Sequence, residues 1–119
     1  MKFSDKNEIL TFLKTLSLSE ELLGVRIGIV GSYSRDEQTD ESDFDIVYSL
    51  QDKEKNMLNE IDFFIEGKLS SFDNEFDVLW VELLKEDDDK MDEYLVSIGA
   101  GTNEYSPFKE MMKDVIWVN

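Results

Sequence analysis

Two spacings of apolar residues alternate along the chain: helical blocks, and short continuous runs of strand length. Ile9, Phe12, Leu13 and Leu16 recur at i, i+3, i+4 and i+7, which predicts an amphipathic helix over Asp5–Leu16. Asp5 with Glu8 three residues later is a capping box at its start. Residues 17–24 form a short polar connection with the apolar pair Leu22 and Leu23. Val25–Val30 reads as a buried strand that delivers Gly31, and Ser32–Arg35 as the opening of a short helix. Asp36–Glu41 is polar and turn-like, and Phe44–Leu50 is a second strand. Helical spacing returns through Met57, Ile61, Phe64, Ile65 and Leu69, predicting a helix over Lys53–Leu69. A third strand is expected over Phe76–Leu83. The acidic run Glu86–Asp89 then leads into a helix with Met91, Tyr94, Leu95 and Ile98 on one face, ended by Gly99. Ser106-Pro107 supplies an N-cap and a proline at the first helical position, opening a last helix with Phe108, Met111 and Met112. Val115–Val118 is a final, edge-pairing strand.

The order α, β, short α, β, α, β, α, α, β, with no repeat or low-complexity tract, predicts an α+β fold: a small mixed β-sheet packed by helices. At 119 residues the chain is one domain's worth, so residues 1–119 are expected to form a single domain with no room for a second, substrate-binding one. A 41% hydrophobic content, with eight Phe, four Tyr and two Trp, is enough for a core. Trp80 and Trp117 are expected as core or interface anchors. No apolar run approaches membrane-spanning length and no signal-peptide pattern opens the chain, so a cytoplasmic location is expected.

Cysteine is absent, which excludes disulfides and thiolate metal sites. Histidine is absent as well, so carboxylates must carry any metal or proton chemistry. The net charge of −16 repels nucleic-acid phosphates and argues against a broad nucleic-acid groove. It favours a basic protein partner, and it is equally consistent with solubility alone.

The chemistry concentrates between Ile29 and Tyr48. Gly31 lets backbone approach a ligand closely, and Ser32 and Arg35 offer donors suited to phosphate oxygens. Asp43 and Asp45 are spaced i, i+2, so on a strand they share a face, roughly 6–7 Å apart at Cα. Such a pair suits hard-oxygen ligation of Mg²⁺ beside a triphosphate. Arg35 has an alternative, a surface salt bridge to a nearby Glu or Asp. Ser42 is expected to orient the turn before Asp43.

The pattern G-S-x-S-R-x-x-x-x-x-x-S-D-x-D over Gly31–Asp45 resembles the signature of the DNA-polymerase-β-type nucleotidyltransferase superfamily. In size the chain is most similar to its minimal nucleotidyltransferase (MNT) branch, the antitoxin of HEPN/MNT toxin–antitoxin pairs. The resemblance implies the polymerase-β-like fold over nearly the whole chain. It implies a third metal carboxylate on a later strand, matched by Asp77 in F-D-V-L-W, which completes the site and helps accept the proton of the attacking hydroxyl. One or two Mg²⁺ ions would be held by Asp43, Asp45 and Asp77, with ATP as substrate. Gly31, Ser32, Ser34 and Arg35 would take the phosphates. The family usually has glycine after the arginine; here Asp36 adds a negative charge near the triphosphate and restricts the backbone.

The resemblance further implies transfer of AMP to a tyrosine of a HEPN ribonuclease toxin, the basic partner, so that the chain acts as antitoxin. The alternative is an acidic binding module that neutralises a basic toxin by contact. Small-molecule adenylylation lacks its customary extra helical domain here, and RNA nucleotide addition conflicts with the charge. Glu86–Asp89 lacks the alternating ligands and glycine of a calcium loop and is expected at a helix N-terminus. Tyr33, Tyr48, Tyr94 and Tyr105 are expected to be packing residues before any is a self-modification acceptor.

Overall fold

The computed structural model describes residues 5–39, 43–50, 58–101 and 106–119. Among these residues four helices accompany four strands: α1 (Lys6–Leu16), β1 (Val25–Val30), β2 (Phe44–Leu50), α2 (Leu58–Leu69), β3 (Phe76–Trp80), α3 (Val81–Ser97), α4 (Pro107–Lys113) and β4 (Ile116–Trp117). A 3-10 turn, Glu20–Leu22, lies between α1 and β1. The strands form one mixed sheet in the order β3-β2-β1-β4. β1 is antiparallel to both β2 and β4, and β2 is parallel to β3. Parallel neighbours need a crossover, which α2 supplies between β2 and β3.

Sequence dictates α1 and α4 at their first turns. The Asp5 carboxylate accepts from the Glu8 N–H at 3.0 Å, and the Ser106 hydroxyl accepts from the Lys109 N–H at 3.0 Å. Pro107 stands where the helix needs no N–H. The apolar stripe of α1 (Ile9, Leu13, Leu16) and that of α2 (Ile61, Ile65, Leu69) are buried on one face of the sheet, against Ile27, Ile29, Phe44, Ile46 and Tyr48. Each fully buried aliphatic or aromatic side chain there contributes about 1.5–3 kcal/mol. The expected helix over Lys53–Leu69 is described from Leu58 onward; residues 51–57 lie outside the described residues.

Strand β3 ends earlier than its apolar run. Residues 81–84, whose first three were expected as strand, open α3 directly from Trp80 with no intervening loop. Val81, Leu83 and Leu84 are equally compatible with either period, and a tertiary contact decides between them. In the first turn of α3 the Glu82 carboxylate accepts from the Ser49 hydroxyl at 2.9 Å and from the Leu50 N–H. The helix start is thus tied to the end of β2. As a consequence Glu86–Asp89 lies inside α3 and not at its N-terminus as expected. The Ser49–Glu82 bond also fixes the layering. Ser49 alternates with the core-facing Tyr48 and Leu50, so α3 covers the sheet face opposite to α1 and α2.

Strand β4 closes the other edge on β1, where a Cβ on Gly28 would collide with the Ile116 carbonyl oxygen. Trp117 lies beneath the Arg26 guanidinium, 4.3 Å from the ring centroid, and Trp80 packs against the core. Among the described residues no helix is long and apolar enough to cross a membrane.

Candidate functional site

Gly31 ends β1 in the left-handed region, φ 83°, where a side chain is strained. A Cβ on it would collide with Oδ2 of Asp45, so the backbone of residue 31 lies directly against that carboxylate. The chain then bends through successive turns. The N–H groups of Ser34 and Arg35 donate to the carbonyls of Gly31 and Ser32, each at 3.2 Å. The helix expected from Ser32 does not continue. Asp36 adopts φ 57°, and the Glu37 N–H returns to the Ser32 carbonyl at 2.9 Å, a left-handed termination of the kind glycine usually makes. Asp36 thus occupies the position where the resembling family carries glycine, and adopts the conformation glycine would. Its carboxylate pairs with Lys6 of α1 at 2.8 Å. Asp tolerates this region better than most residues. Asp36→Gly is therefore expected to alter stability by less than about 1 kcal/mol, and the β-branched Asp36→Val to cost about 1–2 kcal/mol, read from urea unfolding midpoints.

Tyr33 anchors the bend from below, buried and stacked on Phe44 with ring centroids 3.7 Å apart. The Ser34 hydroxyl donates to the Gly31 carbonyl at 2.7 Å, so its donor shapes the bend instead of pointing at a ligand. Arg35 is held by two carboxylates: its Nε lies 3.0 Å from Glu37 and its Nη1 3.7 Å from Asp114, at the C-cap of α4. The salt-bridge alternative for Arg35 is thus the arrangement the structure adopts.

Strand register brings Asp45 and Asp77 together; among the described residues the three-carboxylate group whose oxygens converge within 4.8 Å is a different one, Asp88, Asp89 and Asp92. Asp45 of β2 and Asp77 of β3 are directly paired across parallel strands, which lie about 4.8 Å apart. They share the sheet face opposite the core, because their neighbours Phe44, Ile46, Phe76 and Val78 face the core cluster. Asp43 immediately precedes β2, two residues from Asp45. Ser42 lies outside the described residues. The pKa of Asp45 is pushed up from 3.8 to about 6, first by burial and then by the charge of Asp77, to which it is hydrogen-bonded, and by Asp43; Arg35 opposes the shift. Ionising Asp45 here is therefore disfavoured, because the repulsion of like charges adds to the cost of burial.

A family model, nucleotidyltransferase domain, matches residues 6–104. The chain belongs to that family. No curated protein and no solved structure matches it. Its four-stranded mixed sheet packed by helices is the α+β architecture expected of a nucleotidyltransferase, and its reaction class is nucleotidyl transfer. The matched segment of this nucleotidyltransferase contains Gly31, Ser32, Ser34, Arg35, Asp43, Asp45 and Asp77, while α4 and β4 lie beyond it.

Elsewhere in the nucleotidyltransferase, Asp88, Asp89 and Asp92 bring carboxylate oxygens within 4.8 Å of one another on α3. Lys109 of α4 already sits among them, 3.2 Å from Asp92 and 3.7 Å from Asp88. Sequence reasoning missed that cluster, and it missed Glu37 and Asp114 as the partners of Arg35. Glu37 was within reach at i+2, whereas nothing in the sequence points to Asp114. Of the four tyrosines, Tyr33 and Tyr48 are buried, Tyr94 is 58% exposed on α3, and Tyr105 lies outside the described residues.

Proposed function

We propose that this nucleotidyltransferase, read as a single minimal domain over residues 1–119, transfers AMP from ATP to a tyrosine hydroxyl of a basic partner protein in the cytoplasm. On this reading the partner is a ribonuclease toxin of the HEPN kind and the chain is its antitoxin. The observation that carries the reading is the in-register pairing of Asp45 with Asp77 beside the Gly31 backbone. The donor set fits a hard divalent cation: Asp43, Asp45 and Asp77 are all-oxygen ligands, and the charge of Asp45, disfavoured first by burial and then by Asp77, is one a cation would offset. These three would hold one or two Mg²⁺ ions, whose chemistry there is to neutralise phosphate charge and align the attacking and leaving oxygens.

The chain's own residues do the rest. The Gly31–Ser32 bend offers backbone approach and a hydroxyl to the terminal phosphates, and Ser34 holds that bend in shape. Arg35 exchanges Glu37 and Asp114 for a phosphate oxygen. Asp77, exposed at the edge strand, accepts the proton of the attacking hydroxyl. A bond forms from that oxygen to the α-phosphorus, the bridging bond to the β-phosphate breaks, and pyrophosphate leaves.

Incubation with ATP labelled at the α-phosphate, Mg²⁺ and the candidate toxin tests this. Label on the toxin that is lost in Asp45→Asn supports transfer. The second reading, neutralisation by contact with a vestigial nucleotide site, is favoured by Arg35 being occupied by carboxylates, and predicts a tight complex with no label. Relief of that competition is measurable: Glu37→Gln and Asp114→Asn are each expected to tighten Mg·ATP binding about two- to five-fold by calorimetry.

A further inference from the structure

We propose that the cleft between α3 and α4 is the docking groove for an amphipathic, lysine- or arginine-flanked helix of the acceptor protein. The cleft has a volume of about 550 Å³; Leu79, Leu84, Met91, Leu95, Phe108 and Met111 line it, together with Asp87 and Asp88. Its apolar floor runs on along α3, where Leu83, Met91, Tyr94 and Ile98 are all between 47% and 58% exposed. Residues 83, 84, 87, 91, 94, 95 and 98 recur at helical spacing, so the half-covered apolar side chains form one stripe beside the cleft. A stripe of this kind receives another helix laid along it.

The charge decides the occupant. Over its length α3 carries seven carboxylates against Lys85 and Lys90. Asp87 stands exposed in the wall of the cleft, whereas Asp88, 8% exposed, is already paired with Lys109 at 3.7 Å. A second copy of this chain would bring another net charge of −16 to an already acidic surface. A helix with basic residues flanking an apolar face meets both the stripe and its rim.

The position ties the groove to the reaction, and this link rests on the site proposed above. Leu79 in the cleft and Asp77 in the site are two residues apart on the same face of β3. From the other side, α4 walls the cleft with Pro107 and Phe108 and caps on Asp114, which holds Arg35; seven helical residues span roughly 10 Å. A helix in the groove would thus present its neighbouring residues to the carboxylates.

The test uses the full chain and two synthetic helical peptides with leucines at i, i+3, i+4 and i+7, one flanked by lysines and the other by glutamates. Calorimetry should show the lysine peptide binding and the glutamate peptide failing to bind, with affinity falling as salt rises. NMR shifts should concentrate at Leu79, Leu84, Met91, Leu95, Phe108 and Met111. Met91→Lys and the exposed Asp87→Lys, checked for folding by circular dichroism, should each weaken the lysine peptide about ten-fold. Binding of neither peptide, equal binding of both, shifts centred elsewhere, or a sedimenting dimer that Met91→Lys dissolves would each overturn the groove. Asp45→Asn should keep peptide affinity while losing Mg·ATP. Peptide binding by a wild-type chain that binds no nucleotide would sink the proposed function and leave the groove standing.

Discussion

Gly31→Ala should cripple nucleotide binding and lower stability together. At φ 83° an alanine is strained by about 1–2 kcal/mol, and its methyl would collide with Oδ2 of Asp45. Either the carboxylate swings away or the bend shifts, and both separate the phosphate-binding backbone from the acidic group beside it. The expected result is a melting temperature lower by roughly 5 °C or more and Mg·ATP affinity reduced at least about ten-fold, read by thermal melts and calorimetry. Wild-type affinity in the Gly31→Ala variant would show that the glycine is merely a strand-ending turn.

Replacing Asp45 should move stability and function in opposite directions. Asp45→Asn removes a carboxylate that is partly buried and faces Asp77 and Asp43, so the metal-free fold should gain on the order of 1 kcal/mol at pH 7.5, after allowance for solvent screening. Mg²⁺-dependent ATP binding should disappear. Asp45→Ala should lose binding equally and leave the fold intact. The pH dependence has a definite sign. The folded-state pKa of Asp45, about 6, lies above its ordinary 3.8, so across that interval the native state holds more protons than the unfolded chain. Stability from this group is full below about pH 4 and is lost as pH rises through about 6. Mg²⁺ affinity runs the other way and weakens as pH falls below about 6, because the cation must displace that proton. Stability in the metal-free protein that rises from pH 5 to pH 7, and is unaffected by Asp45→Asn, would contradict the burial of Asp45 beside Asp77.

The sequence made β1 and β2 legible because each is a short, largely apolar run, broken only by Arg26 in β1 and by Asp45 and Ser49 in β2, and it made the starts of α1 and α4 legible because Asp5, Ser106 and Pro107 act locally. The β3–α3 boundary was not legible. No glycine or proline interrupts Trp80-Val81-Glu82-Leu83-Leu84, and the deciding bonds, from Ser49 and Leu50 to Glu82, join positions more than thirty residues apart. Within the site, Asp43, Asp45 and Gly31 were readable from spacing, and Asp77 from resemblance. That Asp45 stands opposite Asp77 follows only from parallel pairing, which a single sequence does not encode. Asp36 read as a departure that burdens the site; its left-handed backbone shows a substitution the turn accommodates. The α3–α4 cleft was hidden for a simple reason: Met91 and Leu95 read as one face of a helix and Phe108 and Met111 as part of another, and helical spacing does not say that the two faces flank an open cleft.

Two sets of carboxylates are candidates for a divalent cation: the proposed strand-borne set of Asp43, Asp45 and Asp77, and the α3 group of Asp88, Asp89 and Asp92, whose oxygens lie within 4.8 Å of one another. Titrating Mn²⁺ with a non-hydrolysable ATP analogue into isotope-labelled protein, and following paramagnetic broadening of each backbone amide, separates them directly. Broadening centred on Gly31, Ser32, Asp45 and Asp77, and abolished by Asp45→Asn, is the result predicted. Broadening centred on residues 88–92, with the Gly31 and Asp77 signals untouched, would contradict it.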